Sequence, residues 1–247
     1  MTYVIAVAGK GGVGKSTLSA LLVQELAART GKVILAVDAD PNSNLGEKLG
    51  VTVERTIGDL REDLVRRSED VTGSKHQEAM YQLRLAMVEG RDFDLVTMGR
   101  SEGRGCYCYV NNLLRTFLDE IMSQYGHVVI DNEAGMEHLS RRTCQRMDVL
   151  MVVSDASRVG LETASRILSL AREMEIDIGK SVLVINRVNG ELPPSLKEMV
   201  PSGFSKLFLL PHDAAVEELA MTSSQLTSLP KDSLLRVAVN RLIPELR

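Results

Sequence analysis

The run GKGGVGKST, Gly9 to Thr17, joins a strand-like apolar segment, YVIAVA, to a segment of helical periodicity. It satisfies the spacing G-x-x-x-x-G-K-[ST] in the strand–loop–helix context that such a match requires. Gly9, Gly11, Gly12, Val13 and Gly14 would form a loop whose backbone N–H groups converge on phosphate, and the helix start adds partial positive charge. Lys15 would reach the β- and γ-phosphates, and the Ser16 hydroxyl, beside Thr17, can ligate Mg²⁺. The chemistry implied is binding of a nucleoside triphosphate. Two further stretches carry carboxylates: VDADPNSNL contains Asp38 and Asp40, and HVVIDNEAGMEH contains Asp131 followed by Gly135 at D-x-x-x-G spacing. That spacing suits a carboxylate near Mg²⁺ and a switch segment sensing the γ-phosphate.

Cysteine supplies the second chemistry. In GRGCYCYVNN, Cys106 and Cys108 stand one residue apart. Two thiolates can bite one metal ion but leave a four-coordinate site half filled. A symmetric dimer with both copies near its axis would complete it, linking metal binding to dimerisation. Gly103 and Gly105 permit close backbone approach, and Arg104 would lower the thiol pKa values. Cys144 stands alone on an expected helix and reads as a packing or surface residue. His138 reads as a helix-start residue.

Positioning these groups requires a scaffold. The runs YVIAVA, VILAVD, DLVTM, HVVID, VLMVV, SVLVIN and KLFLL alternate with helical segments, most clearly at 16–29, 111–124, 160–174 and 232–243. This alternation predicts an α/β fold, a mostly parallel sheet covered by helices on both faces. Asp38 and Asp40 then fall at the carboxyl end of a strand, where open sheets bind ligands. The polar stretch 51–91 reads as an insertion carrying surface helices, LREDLVRRSED and HQEAMYQLRLAM. At 247 residues without a linker or repeat, a single domain spanning 1–247 is expected. A formal net charge of −4 gives no global reason to expect nucleic acid as a partner. No apolar run approaches membrane-spanning length, the N-terminus has no signal-peptide pattern, and three cysteines form no secreted disulfide framework. A soluble, cytoplasmic protein without a membrane partner is expected.

Lys10, the second residue of the glycine loop, resembles the signature lysine of the deviant Walker A P-loop ATPases, the MinD, ParA and nitrogenase iron-protein class. The resemblance runs in order from Gly9 to Asp213. It implies ATP as the nucleotide and a homodimer in which Lys10 touches the partner's nucleotide. It further implies that Asp40 orients the attacking water, that Asp38 lies near the Mg²⁺ shell and that Asp131 to Gly135 is switch II. Asn186, Arg187 and the LPHD stretch with Pro211 and Asp213 match the class's adenine-recognition places. Within that class, GRSEGRGCYCYVNNLLR resembles the CooC family, nickel-insertion ATPases that mature carbon monoxide dehydrogenase and its acetyl-CoA synthase partner. This implies Ni²⁺ held by Cys106 and Cys108 between two chains, with Zn²⁺ as competitor. Two other readings share the scaffold. An iron–sulfur carrier or reductase is one, although its usual cysteine spacings are not found here. A MinD/ParA spatial regulator acting as a membrane or DNA switch is the other, for which the C-terminal DSLLRVAVNRLIPELR would have to serve as an amphipathic tail.

Overall fold

A computed structural model describes residues 2–60, 74–100, 108–133, 146–223 and 225–247. Eight strands form one sheet: β1 (Tyr3–Gly9), β2 (Ile34–Ala39), β3 (Val88–Glu89), β4 (Phe93–Thr97), β5 (His127–Asn132), β6 (Arg146–Ser154), β7 (Asp177–Val188) and β8 (Lys206–Pro211), in the order β3-β4-β2-β5-β1-β6-β7-β8. β3 runs antiparallel to β4, and every other neighbouring pair is parallel. Parallel neighbours need crossovers long enough to form a helix, and those helices cover both faces, so the strands can be apolar throughout.

β1 shows the consequence. Val4, Ala6 and Ala8 face one layer, and Ile5 and Val7 face the other. The first layer is covered by α3 (Ser74–Leu85), α4 (Cys108–Ser123) and α5 (Arg158–Glu173), which bury Leu83, Phe117 and Leu161 among others. The second is covered by α1 (Lys15–Thr30), α2 (Leu45–Leu49) and α8 (Leu234–Leu242), through Leu18, Leu22, Leu45, Leu235 and Val239. Local chemistry sets the helix ends. α1 lies between Gly14 and Gly31, both left-handed, and the Gly31 N–H returns to Ala27 O. The Ser157 hydroxyl caps α5 by accepting from Gly160 N–H.

The strand order positions the site. β1 sits between β5 and β6, and the chain leaves it toward β2 on one side before crossing to β6 on the other. The segments that follow β1, β2 and β5 therefore start from one crevice at the carboxyl edge of the sheet, the switch point where such folds bind ligands. Thr97, Asp38, Asp131 and Val7 stand side by side in register across β4, β2, β5 and β1.

The four expected helices are present within three residues of their expected limits. Three features differ. β7 begins at Asp177, four residues before SVLVIN, because its first residues continue the ladder with β6 from Arg146 onward. α3 does more than cover the surface, since Ala79 and Leu83 are buried in the first layer while Tyr81 and Leu85 stay exposed. β3 and the helices α6 (Pro194–Lys197) and α7 (Ala214–Thr222) were not expected; each helix meets the core only through half-buried side chains, Leu196 of α6 and Ala215, Val216 and Leu219 of α7, which makes a weak pattern to read. LREDLVRRSED lies outside the described residues except for Leu60. The apolar face of α8 is buried, with Leu235, Val239 and Leu242 at most 4% exposed, so it serves the core rather than a lipid surface. Among the described residues no helix is long and apolar enough to cross a membrane.

Phe117 is fully buried beneath the sheet. Phe117→Ala is expected to cost about 3–5 kcal/mol, read as a fall in urea midpoint with an unchanged slope. A loss below about 1 kcal/mol would mean that α4 does not pack on the core in this way.

Candidate functional site

The glycine loop is held open by contacts that only glycine permits. A Cβ on Gly9 would lie 2.2 Å from Val153 O, and one on Gly14, at φ +97°, would lie 2.6 Å from Asn186 Nδ2. Asn186 approaches because its amide donates to Val13 O at 2.9 Å, while its Oδ1 accepts from Arg187 N–H at 2.9 Å. The end of β7 thus pins the loop. Behind the loop, α1 starts with no side-chain cap and no acidic residue in its first turn, leaving its first N–H groups unpaired within the helix. Lys15 is 6% exposed, and the hydrogen bond of its Nζ is a long one, 3.4 Å to Lys10 O. An uncapped helix start beside a buried, weakly satisfied cation fits an anionic ligand such as phosphate. Lys10 is exposed on the outer side of the loop.

Opposite the loop stand the carboxylates. Asp131 is fully buried; its Oδ1 accepts from Ser19 Oγ at 3.1 Å, and its Oδ2 has no partner. Burial raises its pKa to about 6, against the opposing pull of the Ser16 and Ser19 hydroxyls and the Lys15 ammonium. A buried, unpartnered carboxylate oxygen beside Ser16 fits a site for Mg²⁺, directly or through a bound water. Asp38 is also fully buried, and burial lifts its pKa to about 7, with the nearby Asp131 and Asp40 charges adding to the rise. Its Oδ1 accepts from Asp40 N–H at 3.1 Å and its Oδ2 from Leu45 N–H at 2.9 Å. Asp38 therefore shapes the 38–45 loop. Asp40 is 7% exposed, and its Oδ1 accepts from both Asn42 nitrogens at 2.9 Å. Among the described residues its Oδ2 accepts no hydrogen bond, which leaves a lone pair at the mouth of the crevice.

At the far end of the crevice, Arg187 is exposed and takes the left-handed conformation, φ +58°, at a break in the β7–β8 ladder. Pro211 ends β8. Both oxygens of Asp213 are occupied: Oδ1 caps α7 through Ala215 N–H at 2.9 Å, and Oδ2 accepts from Ser233 Oγ at 2.6 Å and Leu235 N–H at 2.8 Å. Burial alone would raise its pKa, but these bonds outweigh it and hold the carboxyl below its usual range. Asp213 ties the starts of α7 and α8 together, so that stretch can offer a base its backbone more readily than this carboxylate.

The structure thus brings Lys15, Ser16, Asp38, Asp40, Asp131 and Asn186 around one crevice. Gly135, Cys106, His138 and Cys144 lie outside the described residues, and Cys108 is described only as the first residue of α4. The chain between β4 and α4 leaves the carboxyl edge beside the carboxylates, for Met98 N–H donates to Asp38 O at 2.8 Å. Sequence reading missed Ser19 as the partner of Asp131. Its signal was its place three residues after Ser16, on the same helix face.

A glycine loop between the central strand of a parallel sheet and an uncapped helix, facing buried carboxylates at the switch point, defines a P-loop nucleotide-binding protein. The chain belongs to the CobQ/CobB/MinD/ParA nucleotide-binding domain family, whose model matches residues 4–226. It is 44% identical over 239 residues to an uncharacterised ATP-binding protein of Methanocaldococcus jannaschii, covering 93% of this chain and 92% of the relative. It is 34% identical over 185 residues to the carbon monoxide dehydrogenase accessory protein CooC of Rhodospirillum rubrum, covering 70% of each. Among solved structures, a ParA family ATPase from Chlorobium tepidum superposes with a TM-score of 0.74 at 21% identity, over 100% of this chain and 99% of that one.

The raised pKa values set a pH dependence. A carboxyl favoured in its protonated form by folding contributes stability that is complete below its unfolded value, near 4, and is lost as pH rises through the folded values, about 6 for Asp131 and about 7 for Asp38. The ligand-free protein is therefore expected to have a lower urea midpoint at pH 8 than at pH 5. Asp131→Asn, which keeps an acceptor for Ser19, should flatten the part of the curve between about pH 4 and pH 6. An identical pH profile in the variant would show that Asp131 does not ionise as described.

Proposed function

We propose that this chain is an ATP-hydrolysing metallochaperone, which binds Ni²⁺ through Cys106 and Cys108 at an ATP-dependent homodimer interface and assists nickel insertion into carbon monoxide dehydrogenase and its acetyl-CoA synthase partner. The observation that carries the ATPase part is the uncapped start of α1 beside Lys15, facing the half-satisfied Asp131 carboxylate. The metal part rests on the Cys-x-Cys pair, which ends where α4 begins, and on the identity to the Rhodospirillum accessory protein.

In this reading the loop from Gly9 to Gly14, with Lys15 and Thr17, binds the triphosphate, and Lys10 extends from its exposed position to the partner's nucleotide. Ser16 would hold Mg²⁺ with Asp131 and Asp38 close behind, and the ion, when bound, offsets the charge of the phosphates. Asp40 orients the attacking water, and its unpartnered oxygen suits that task. Asn186, Arg187 and Pro211 receive the adenine, with Asp213 bracing the chain behind it. Gly135 carries the switch backbone toward the γ-phosphate. Closing the dimer assembles four thiolates from two chains, and hydrolysis, by releasing the γ-phosphate, lets them separate. Ni²⁺ is the cargo, and Zn²⁺ competes for the same soft ligands. The site operates in the cytoplasm and needs neither membrane nor nucleic acid.

The test is a titration of reduced protein with Ni²⁺ and Zn²⁺ in ADP or ATP, reading bound metal and mass together. One metal per two chains is expected, with a thiolate charge-transfer band that is absent from the Cys106→Ala, Cys108→Ala variant. Metal binding that survives in the variant, or that does not change the dimer, would sink the chaperone mechanism. Bound iron and sulfide with visible absorption would favour a cluster carrier instead. Lys15→Ala should lower the ATPase kcat by about 100-fold or more. Lys10→Ala should abolish ATP-dependent dimerisation while the monomer still binds ADP.

A further inference from the structure

Away from the nucleotide end, the second half of α1 faces α8 across a cavity of about 760 Å³. Four cations line it, Arg29, Lys231, Arg236 and Arg241, against one carboxylate, Glu25, in a chain whose formal net charge is −4. Local charge is thus the reverse of the protein's overall charge.

Much of the lining is paired within itself. Gln24 Oε1 accepts from Arg236 Nη2 at 2.5 Å, and Glu25 Oε2 accepts from Asn240 Nδ2 at 2.9 Å. The backbone and side-chain oxygens of Asn240 both accept from Arg29. Gln24 Nε2, by contrast, is buried with no acceptor. Arg236 Nε is buried 3.4 Å from Glu25 Oε1 without donating a hydrogen bond to it. Among the described residues no carboxylate pairs with Lys231 or Arg241. Gln24 Nε2 and Arg236 Nε are both closed to solvent, so the cations open to an occupant are the exposed Lys231 and Arg241, and acceptors placed between them would be held by charge-assisted hydrogen bonds.

We propose that this cavity binds a compact polyanion, a small molecule bearing two or more phosphate or carboxylate groups, separate from the nucleotide. An anionic occupant fits better than a neutral peptide, since the lining offers four cations and a single carboxylate. The site lies behind the nucleotide loop, because Gln24 is nine residues beyond Lys15 on α1, about 14 Å along the helix axis.

Tripolyphosphate and tricarballylate are the probes, titrated calorimetrically into protein saturated with Mg–ADP at constant free Mg²⁺, with retention of ADP followed in parallel. At least one probe is expected to bind without displacing ADP, and more weakly as salt rises. The Lys231→Glu, Arg241→Glu variant should weaken it about tenfold or more. Arg29→Glu alone, which reverses the charge of a third lining cation, should weaken it about threefold. Neither substitution should change Mg–ADP affinity. The proposal is overturned by the absence of binding up to about 5 mM of either probe, by binding unchanged in both variants, or by displacement of ADP at the same midpoint as binding. The last result would assign the anion to the nucleotide loop.

Discussion

The rest of the site depends on the burial of two carboxylates side by side at the carboxyl edge of the sheet. Asp38 and Asp131 are register partners on β2 and β5, and both are fully buried. Two adjacent anions out of water are unfavourable unless cations or donors surround them. Here the neighbours are the Lys15 ammonium, the Ser16 and Ser19 hydroxyls and the backbone N–H groups of Asp40 and Leu45. These do not suffice, since both pKa values remain raised and one Asp131 oxygen stays unpaired. The residual deficit makes the crevice receptive to a hard cation, just as the uncapped helix opposite makes it receptive to phosphate.

Each side of that crevice is held by a contact made at a distance in sequence. Asn186 fixes the loop through Val13 O, and Asn132, next to Asp131, donates to Val7 O at 2.9 Å. Asp213 locks the starts of α7 and α8. The glycines at 9 and 14 are required by these approaches as much as by any ligand, because a side chain at either position would collide with Val153 O or the Asn186 amide. Loop shape is thus set by the sheet before any nucleotide arrives.

How far this was legible in the sequence depends on whether a residue's role is local. Buried parallel strands are continuous apolar runs, so all seven were visible. Helices with a core-facing stripe, such as α4 and α5, were visible for the same reason. α7 was not, because it is short and meets the core only through half-buried Ala215, Val216 and Leu219. The glycine loop could be read because its spacing is itself the mechanism. The bonds of Ser19 to Asp131 and of Asn186 to Val13 O could not be read, since they exist only once the sheet order is known. Asp213, at a position matched to base recognition, has both carboxylate oxygens engaged at the starts of α7 and α8, a bracing role that exists only in the folded chain.

The relation between the crevice and the cysteines follows from connectivity. β4 ends at Thr97, in register with Asp38, and the next residue, Met98, is hydrogen-bonded to Asp38 O. From Cys108 the chain enters α4, which is anchored by fully buried Phe117 and Leu118. The described residues that flank the Cys-x-Cys segment are therefore held on one side by β2, which carries Asp38, and on the other by a helix fixed in the core. Under the proposed function, a change of phosphate occupancy at the crevice would have a short path along the chain to the pair.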